Sequence, residues 1–318
     1  MKPPFSVIFF TTLAGMGQGL FLLLALTQLL TASVYTPITP IFGWGGVITF
    51  VLLFIGMIAS IFHLGHPERA WRAVSQWRTS WLSREVIVLP ILIGLVAVYS
   101  VGNLFPQFIM QFFPAKLMTA VILAGIVFAL LLFICTGMIY ASLKFLQEWH
   151  SPLVVLNFIL LGFSSGSLLA ALLSSCYQFA ATEVYLNCAI GGLVIALINR
   201  GYLLSRNRRL RPISTVQSAI GVNNPQIRQI SSGAIAPTFN RHQFNHGKSY
   251  YFIRSIKWLF LVTVFVFPLL LMFCYAASHA SWLLIVGIIV QYLGLIAERW
   301  YFFAEANHPQ NIYYQVIA

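Results

Sequence analysis

The chain has 318 residues, of which 59% are hydrophobic and only 8% are charged. A water-soluble protein carries about 25% charged residues, so this composition excludes an ordinary soluble enzyme. The net charge is +12, and the basic residues stand between hydrophobic runs, which argues against a nucleic-acid partner. Basic loops beside apolar segments instead determine membrane topology and contact lipid headgroups or partner proteins.

Apolar runs long enough to cross a bilayer, which requires about 20 residues per helix, recur along the whole chain. They predict transmembrane helices at 5–33, 43–64, 86–104, 117–140, 152–174, 183–204, 256–276 and 281–303. Prolines near the ends of several runs support these breaks. We therefore predict an all-α integral membrane protein, in which residues 1–318 form a single polytopic domain, a bundle of eight transmembrane helices.

The distribution of basic residues predicts the orientation. With eight spans, the two termini and the second, fourth and sixth loops share one face. All but one of the 18 lysines and arginines lie on that face, and the exception is Lys116. The positive-inside rule then places both termini in the cytoplasm. The sixth loop, 205–255, is basic and contains no acidic residue, so it is either a solvated loop near anionic lipid or a docking surface for an acidic soluble partner.

The segment HLGHPERAWRAVSQWRTSWLSREV, residues 63–86, gathers polar and aromatic side chains between the second and third spans. One interpretation is an interfacial loop anchored by its tryptophans. The other is a quinone site, because a quinone needs a hydrogen-bonding group at each carbonyl and a route for two protons. His63 at the end of one span and Glu85 at the start of the next offer both, and we expect both side chains at the membrane surface.

The same segment resembles the signature loop of the dimethyl-sulfoxide reductase anchor-subunit family. FSVIFFTTLAGMGQGLFL (5–22) is similar to that family's first helix, and AERWYFFAEANHPQNIYY (297–314) to its last. The resemblance implies an eight-helix subunit of the bacterial inner membrane that has no prosthetic group and is not active alone. It holds a molybdopterin catalytic subunit and a four-cluster iron–sulfur subunit at the membrane, and exchanges electrons with quinone, either ubiquinone or menaquinone.

Several site residues follow from this resemblance. His63 and Glu85 become the leading quinone-binding and proton-transfer candidates. The weaker candidates are Arg84, Ser83, Trp81, His66 and Gln18. Gln18 either bonds a neighbouring helix or faces the quinone pocket. The arginines predicted to contact the soluble partners are Arg69, Arg72, Arg78, Arg206, Arg208, Arg209 and Arg211.

The family contains reductases that face the periplasm and a sulfite-oxidising branch that faces the cytoplasm. Since the quinone loop faces the soluble subunits and the charge bias places it inside, we predict the anchor of a cytoplasm-facing sulfite:quinone oxidoreductase. The alternative within the family is the anchor of a dimethyl-sulfoxide-type reductase that oxidises quinol. From other functional classes, a membrane transporter and a purely structural anchor remain open.

Other cofactors are not expected in this chain. A b-type haem needs two histidines on facing helices, and no histidine lies in the middle of a span. A haem near the cytoplasmic surface, where His63, His66 and His150 lie, stays open as an alternative. The four cysteines form no CxxC pair, so no iron–sulfur cluster is predicted. His63 and His66 have no cysteine or aspartate nearby, so no metal site is predicted either.

Three further features of the sequence involve small or polar residues in or beside the spans. Gly15 and Gly19 predict close packing of the first helix against a neighbour. Glu298 and Arg299 near the end of the last span form either a structural ion-pair network or the quinone entrance. Glu148 is expected to lie in an interfacial turn.

Overall fold

A computed structural model of the protein describes residues 3–31, 40–62, 64–109, 111, 114–227 and 248–309. In this part of the chain the regular structure is helical and contains no strand. Eight helices are long and apolar enough to cross a membrane, which confirms the predicted all-helical membrane architecture. They are α1 (Phe5–Leu30), α2 (Ile41–Ile61), α3 (Trp81–Leu104), α4 (Ala115–Ala141), α5 (Pro152–Cys176), α6 (Thr182–Arg208), α7 (Tyr250–Ser278) and α8 (Trp282–Glu305).

Two helices begin well before the predicted residue. Helix α3 begins at Trp81 rather than 86, because the Ser80 hydroxyl caps it by accepting a 3.4 Å hydrogen bond from the Ser83 backbone N–H. Helix α7 begins at Tyr250 rather than 256, where Ser249 caps it in the same way. Hydropathy alone misses these first turns since they contain charged residues, whereas a serine cap satisfies the free N–H groups of the helix start.

Shorter helical segments connect or interrupt the long helices. A 3₁₀ helix, Pro67–Gln76, lies between α2 and α3. Single turns follow α3 at Pro106–Ile109 and α6 at Val216–Ile220. Helix α7 includes a π-helical stretch, Leu261–Val266, which widens the helix locally.

Helix α1 is the central helix of the bundle and packs against α2, α4, α5 and α8. Its closest crossing is with α5, where glycines from both helices face each other. A Cβ atom added to Gly19 would lie 2.2 Å from the carbonyl oxygen of Gly162, and one added to Gly166 would lie 2.2 Å from the Leu20 nitrogen. This confirms the predicted close packing at Gly15 and Gly19, since backbones this near leave no space for a side chain.

The two ends of the bundle differ strongly in charge. We call one end of the bundle the polar end. Helices α1, α3, α5 and α7 begin there, and helices α2, α4, α6 and α8 end there. One buried cluster at this end contains Ile8, Phe158, Leu203 and Phe302. Apart from Lys116 and Glu183, every described lysine, arginine and glutamate lies toward this end. The described residues predicted for function are therefore gathered at one end of the helices, except Gln18, which lies in the middle of α1.

Candidate functional site

Glu85 is buried inside the polar end of the bundle. It is the fifth residue of α3, and the residue is only 6% exposed. Its Oε1 atom accepts a hydrogen bond from the Thr136 hydroxyl of α4. Glu85 was expected at the membrane surface, at the start of its helix; because α3 starts five residues earlier than predicted, the residue lies just over one turn inside the helix, with its carboxyl buried between helices. A buried carboxyl that accepts a hydrogen bond from a hydroxyl group can exchange a proton with a ligand placed beside it.

Sequence analysis missed the residues of α4 that surround this carboxyl. Thr136 and Tyr140 are one helical turn apart, so their side chains lie on the same face of α4. Both are buried, and Tyr140 is close enough to Glu85 to interact with it electrostatically. The signal was a threonine and a tyrosine at i, i+4 spacing in the last turns of an otherwise apolar helix.

The neighbours of Glu85 fasten the 3₁₀ helix to α3. The Arg84 guanidinium donates hydrogen bonds to the carbonyls of Trp77 (2.9 Å) and Arg78 (2.8 Å). It also lies 4.2 Å from the ring centroid of Trp81, which packs against the core of the bundle. Ser83 is buried. Arg84 and Trp81 therefore hold residues 67–80, which we call the covering segment, against the start of α3.

The remaining candidates for the quinone site are not brought together with Glu85 by any contact that the structure describes. His63 lies outside the described residues, two positions after the end of α2. His66 is exposed, and its Nδ1 atom lies 2.9 Å from the Glu68 carboxylate. Gln18 is buried in α1 and its Oε1 atom has no hydrogen-bond partner among the described residues.

A second buried polar cluster joins α5, α6 and α8. The Arg200 Nε atom lies 2.9 Å from Glu298 Oε1, and the Arg299 Nε atom lies 3.4 Å from Glu298 Oε2. These are ion pairs by distance rather than aligned hydrogen bonds. The Asn157 amide also donates to Glu298 Oε1, at 3.3 Å. Glu298 and Arg299 thus form the ion-pair network anticipated as one interpretation. Arg200, which the sequence analysis counted only among the basic residues of one face, is its third charged member.

Aromatic rings connect the two buried clusters. The Arg299 guanidinium lies 3.7 Å from the ring centroid of Phe158, and the ring of Phe158 is stacked on Tyr140 with centroids 5.5 Å apart. Arg200 similarly lies 5.5 Å from the ring of Phe260. Aromatic faces stabilise desolvated guanidinium groups, so these rings allow two arginines to remain charged inside the bundle.

The predicted docking arginines differ in their exposure to solvent and in their hydrogen bonds to the protein. Arg69, Arg72 and Arg78 are exposed on or beside the 3₁₀ helix, and Arg208, Arg209 and Arg211 are exposed at the end of α6. Arg206 is half-buried and donates to the carbonyls of Gln147 (3.0 Å) and His150 (3.2 Å). Arg206 therefore fastens the loop between α4 and α5, while the other six present a positive surface at the polar end.

A cleft of about 320 Å³ opens at this end, next to the positive surface. It is lined by the α4–α5 loop, the chain that follows α6 and the chain that follows α8. Glu148 lies in its wall with a buried Oε2 atom that has no partner among the described residues. Burial raises the pKa of Glu148 above its ordinary value and lowers that of His308.

Within the described residues, no group of three or more histidine, cysteine or acidic side chains could hold a metal ion. The four cysteines are all unpaired.

All eight transmembrane helices lie in the part of the chain that matches a single family. Residues 1–305 match the family of DMSO reductase anchor subunits (DmsC). The chain belongs to this family. It is also 45% identical, over the full length of both chains, to a sulfite dehydrogenase subunit of Allochromatium vinosum. The family resemblance is confirmed, and the chain is a multi-pass membrane anchor of the molybdoenzyme type. Family membership therefore favours an anchor subunit over a transporter.

Proposed function

We propose that the chain anchors a sulfite-oxidising molybdoenzyme complex to the bacterial inner membrane and passes its electrons to quinone. Family membership and the similarity to a subunit of a sulfite dehydrogenase support the type of complex. The observation that carries the quinone assignment is Glu85, a carboxyl buried beside Thr136 at the polar end. A buried ionisable group within a membrane helix points to function, because its desolvation is costly.

The residues around Glu85 suit a quinone ring. A bound quinone supplies two carbonyl oxygens that take up two electrons and two protons. Glu85 donates a proton to one carbonyl, and Thr136 holds the carboxyl in position by its hydrogen bond. Trp81 provides an apolar wall. His63, which follows the end of α2, is proposed as the partner of the other carbonyl.

The polar end is proposed to face the cytoplasm, with both termini on that side. The excess of arginine and lysine there supports this orientation through the positive-inside rule. The exposed arginines of the 3₁₀ helix and of the end of α6 would contact an iron–sulfur subunit with four clusters, which receives electrons from a molybdopterin catalytic subunit. Placing this subunit near Glu85 keeps the path for electrons short.

A second candidate function is the reverse flow, in which a dimethyl-sulfoxide-type reductase oxidises quinol at the same site. The family match supports this alternative equally. The charge of the polar end and the 45% identity to a sulfite dehydrogenase subunit favour sulfite oxidation.

The test is sulfite-dependent reduction of a soluble quinone by the complex purified through this subunit. We expect His63→Ala and Glu85→Gln each to lower the rate about 100-fold or more, the usual contribution of a general acid or base. The soluble subunits should stay bound. Glu183→Gln, at the opposite end of the bundle, is the matched control and should not change the rate.

Full activity in both variants would contradict the quinone site and leave a structural anchor. Sulfoxide-dependent quinol oxidation without any sulfite activity would assign the chain to the reductase branch and overturn the orientation argument.

A further inference from the structure

The cleft at the polar end leads toward a row of buried acidic groups. Asn207, Asn307 and Glu148 line the cleft. Glu305, the last residue of α8, lies two residues before Asn307 and interacts electrostatically with Glu148. The wall of the cleft thus continues into the end of α8 through polar side chains.

Glu305 connects this set to the buried cluster through Arg200. Its Oε2 atom lies 3.7 Å from Arg200 Nη1, while Arg200 Nε lies 2.9 Å from Glu298 Oε1. Two carboxylates therefore contact one guanidinium, the outer with a side chain 14% exposed and the inner fully buried. Tyr301 and Lys257 also face Glu305, at a distance that allows electrostatic interaction.

The buried cluster has more polar atoms than it has hydrogen-bonded pairs. Five of its atoms have no hydrogen-bond partner among the described residues: Arg200 Nε and Nη2, Arg299 Nη1, Glu298 Oε2 and Asn157 Oδ1. Buried polar groups are generally hydrogen-bonded, and internal water satisfies those that lack a protein partner. The cluster can therefore bind water between Glu305 and Glu298.

Tyr140 continues the row from this cluster to Glu85. Its ring is stacked on Phe158, over which Arg299 lies at 3.7 Å. Tyr140 interacts electrostatically with both Arg299 and Glu85. Since Thr136 is one turn before Tyr140 and donates to Glu85, the row ends at the carboxyl proposed to face the quinone.

We propose that Glu148, Glu305, Glu298 and Tyr140 form an inner row that carries protons from the cleft to Glu85. This inference rests on the proposed quinone site. Each turnover there consumes two electrons from the partner subunit and two protons, and converts quinone to quinol. Glu85 gives its proton to the quinone oxygen and is then reprotonated through the inner row. The proton that leaves Glu148 at the start of the row is replaced from water in the cleft. The alternative route is the exposed His66–Glu68 pair at the start of the covering segment.

The experiment compares Glu305→Gln, which blocks the inner row, with Glu68→Gln, which blocks the alternative route, in the purified complex. Glu183→Gln serves as the neutral control. Three quantities are measured: the turnover rate of quinone reduction, its ratio in H₂O and D₂O, and the rate at which sulfite reduces the partner's iron–sulfur clusters.

We expect Glu305→Gln to lower quinone turnover about tenfold or more, as loss of a proton-transfer group does, and to increase the isotope ratio. Cluster reduction by sulfite and the KM for quinone should remain as in the wild type, which a merely structural defect would not produce. Glu305→Asp should restore part of the rate. Glu68→Gln should behave as the wild type.

A wild-type turnover rate and isotope ratio in Glu305→Gln would overturn the inner row, as would a loss confined to Glu68→Gln. Glu305 decides the question because it lies between the cleft and the buried cluster, whereas Glu298→Gln also removes the central counter-ion of two buried arginines. Glu85→Gln separates the two proposals: if it is inactive while Glu305→Gln is normal, only the inner row fails. If Glu85→Gln is fully active, the quinone site itself fails.

Discussion

The Nε atom of Arg200 on α6 lies 2.9 Å from Oε1 of Glu298 on α8, and neither side chain is more than 1% exposed. Two ionised groups this deep in a membrane bundle are costly to desolvate, and their mutual attraction offsets that cost only while both are present. Arg299 and Asn157 complete the surroundings of the Glu298 carboxylate. The pair therefore joins two helices that are distant in the sequence.

Arg200→Met tests the stability that depends on this pair. The substitution leaves Glu298 with one cation fewer, so we expect a loss of about 3–5 kcal/mol, the usual cost of breaking a buried ion pair. Arg209→Met, at an exposed position one residue beyond α6, should change stability by less than about 0.5 kcal/mol. Thermal unfolding of the detergent-purified complex measures both. Equal unfolding temperatures for the two variants would refute the structural importance of the pair.

Gly19→Ala tests the crossing of α1 and α5. The new methyl group would lie 2.2 Å from the Gly162 oxygen, so the helices must separate, at a cost of about 1–3 kcal/mol for overpacking. Gly191→Ala is the control, because a Cβ at that position meets no atom within 4 Å. The yield of folded subunit by gel filtration and its unfolding temperature should fall only for Gly19→Ala. A comparable fall in Gly191→Ala would show that the effect is not due to the crossing.

Thr136→Val tests the support of Glu85. The valine keeps the shape of the side chain but cannot donate a hydrogen bond to the carboxyl, so we expect quinone reduction to fall about tenfold, part of the contribution of general acid–base catalysis. Thr136→Ser keeps the hydroxyl and should retain most of the rate. Thr119→Val, at the other end of α4 where the hydroxyl bonds only its own helix, is the control. An unchanged rate in Thr136→Val would mean that this hydrogen bond has no part in turnover.

Arg84→Ala tests the attachment of the covering segment. Without the hydrogen bonds to the Trp77 and Arg78 carbonyls, the end of this segment should exchange its backbone amides faster with D₂O. Arg72→Ala should leave exchange unchanged, since the side chain of Arg72 is exposed and lies against the neighbouring Trp71 ring. Hydrogen–deuterium exchange of the peptides covering 67–80 gives the readout. Equal exchange in the two variants would contradict the role given to Arg84.

Length and hydropathy were sufficient to predict the membrane architecture. Each run of about 20 apolar residues is a local property that only a helix can satisfy in lipid, so the eight helices follow from the sequence. The starts of α3 and α7 do not, because their first turns contain Arg84 and Arg254 and depend on serine caps. The difference of five residues at α3 places Glu85 just over one turn inside the helix, where its side chain is buried.

The candidate site could be predicted only in part, since its contacts join different helices. Glu85 was found because it begins the span that follows the one ending at His63. The signal for Thr136 was only its i, i+4 spacing to Tyr140 in an apolar span. Arg200 resembled any other basic residue at the end of a helix, and only packing places it against Glu298. Contacts between helices are set by which faces pack together, and one sequence does not specify that pairing.

The central claim is that quinone binds at the polar end beside Glu85, and labelling with a photoreactive quinone measures it most directly. The complex in lipid vesicles is illuminated with an azido-quinone, with or without an excess of ordinary quinone, and the labelled peptides are identified by mass spectrometry. We predict competed labels in 61–85 and 132–140, and their loss in Glu85→Gln. Competed labels confined to the opposite end, near Lys116 or Glu183, would contradict the account.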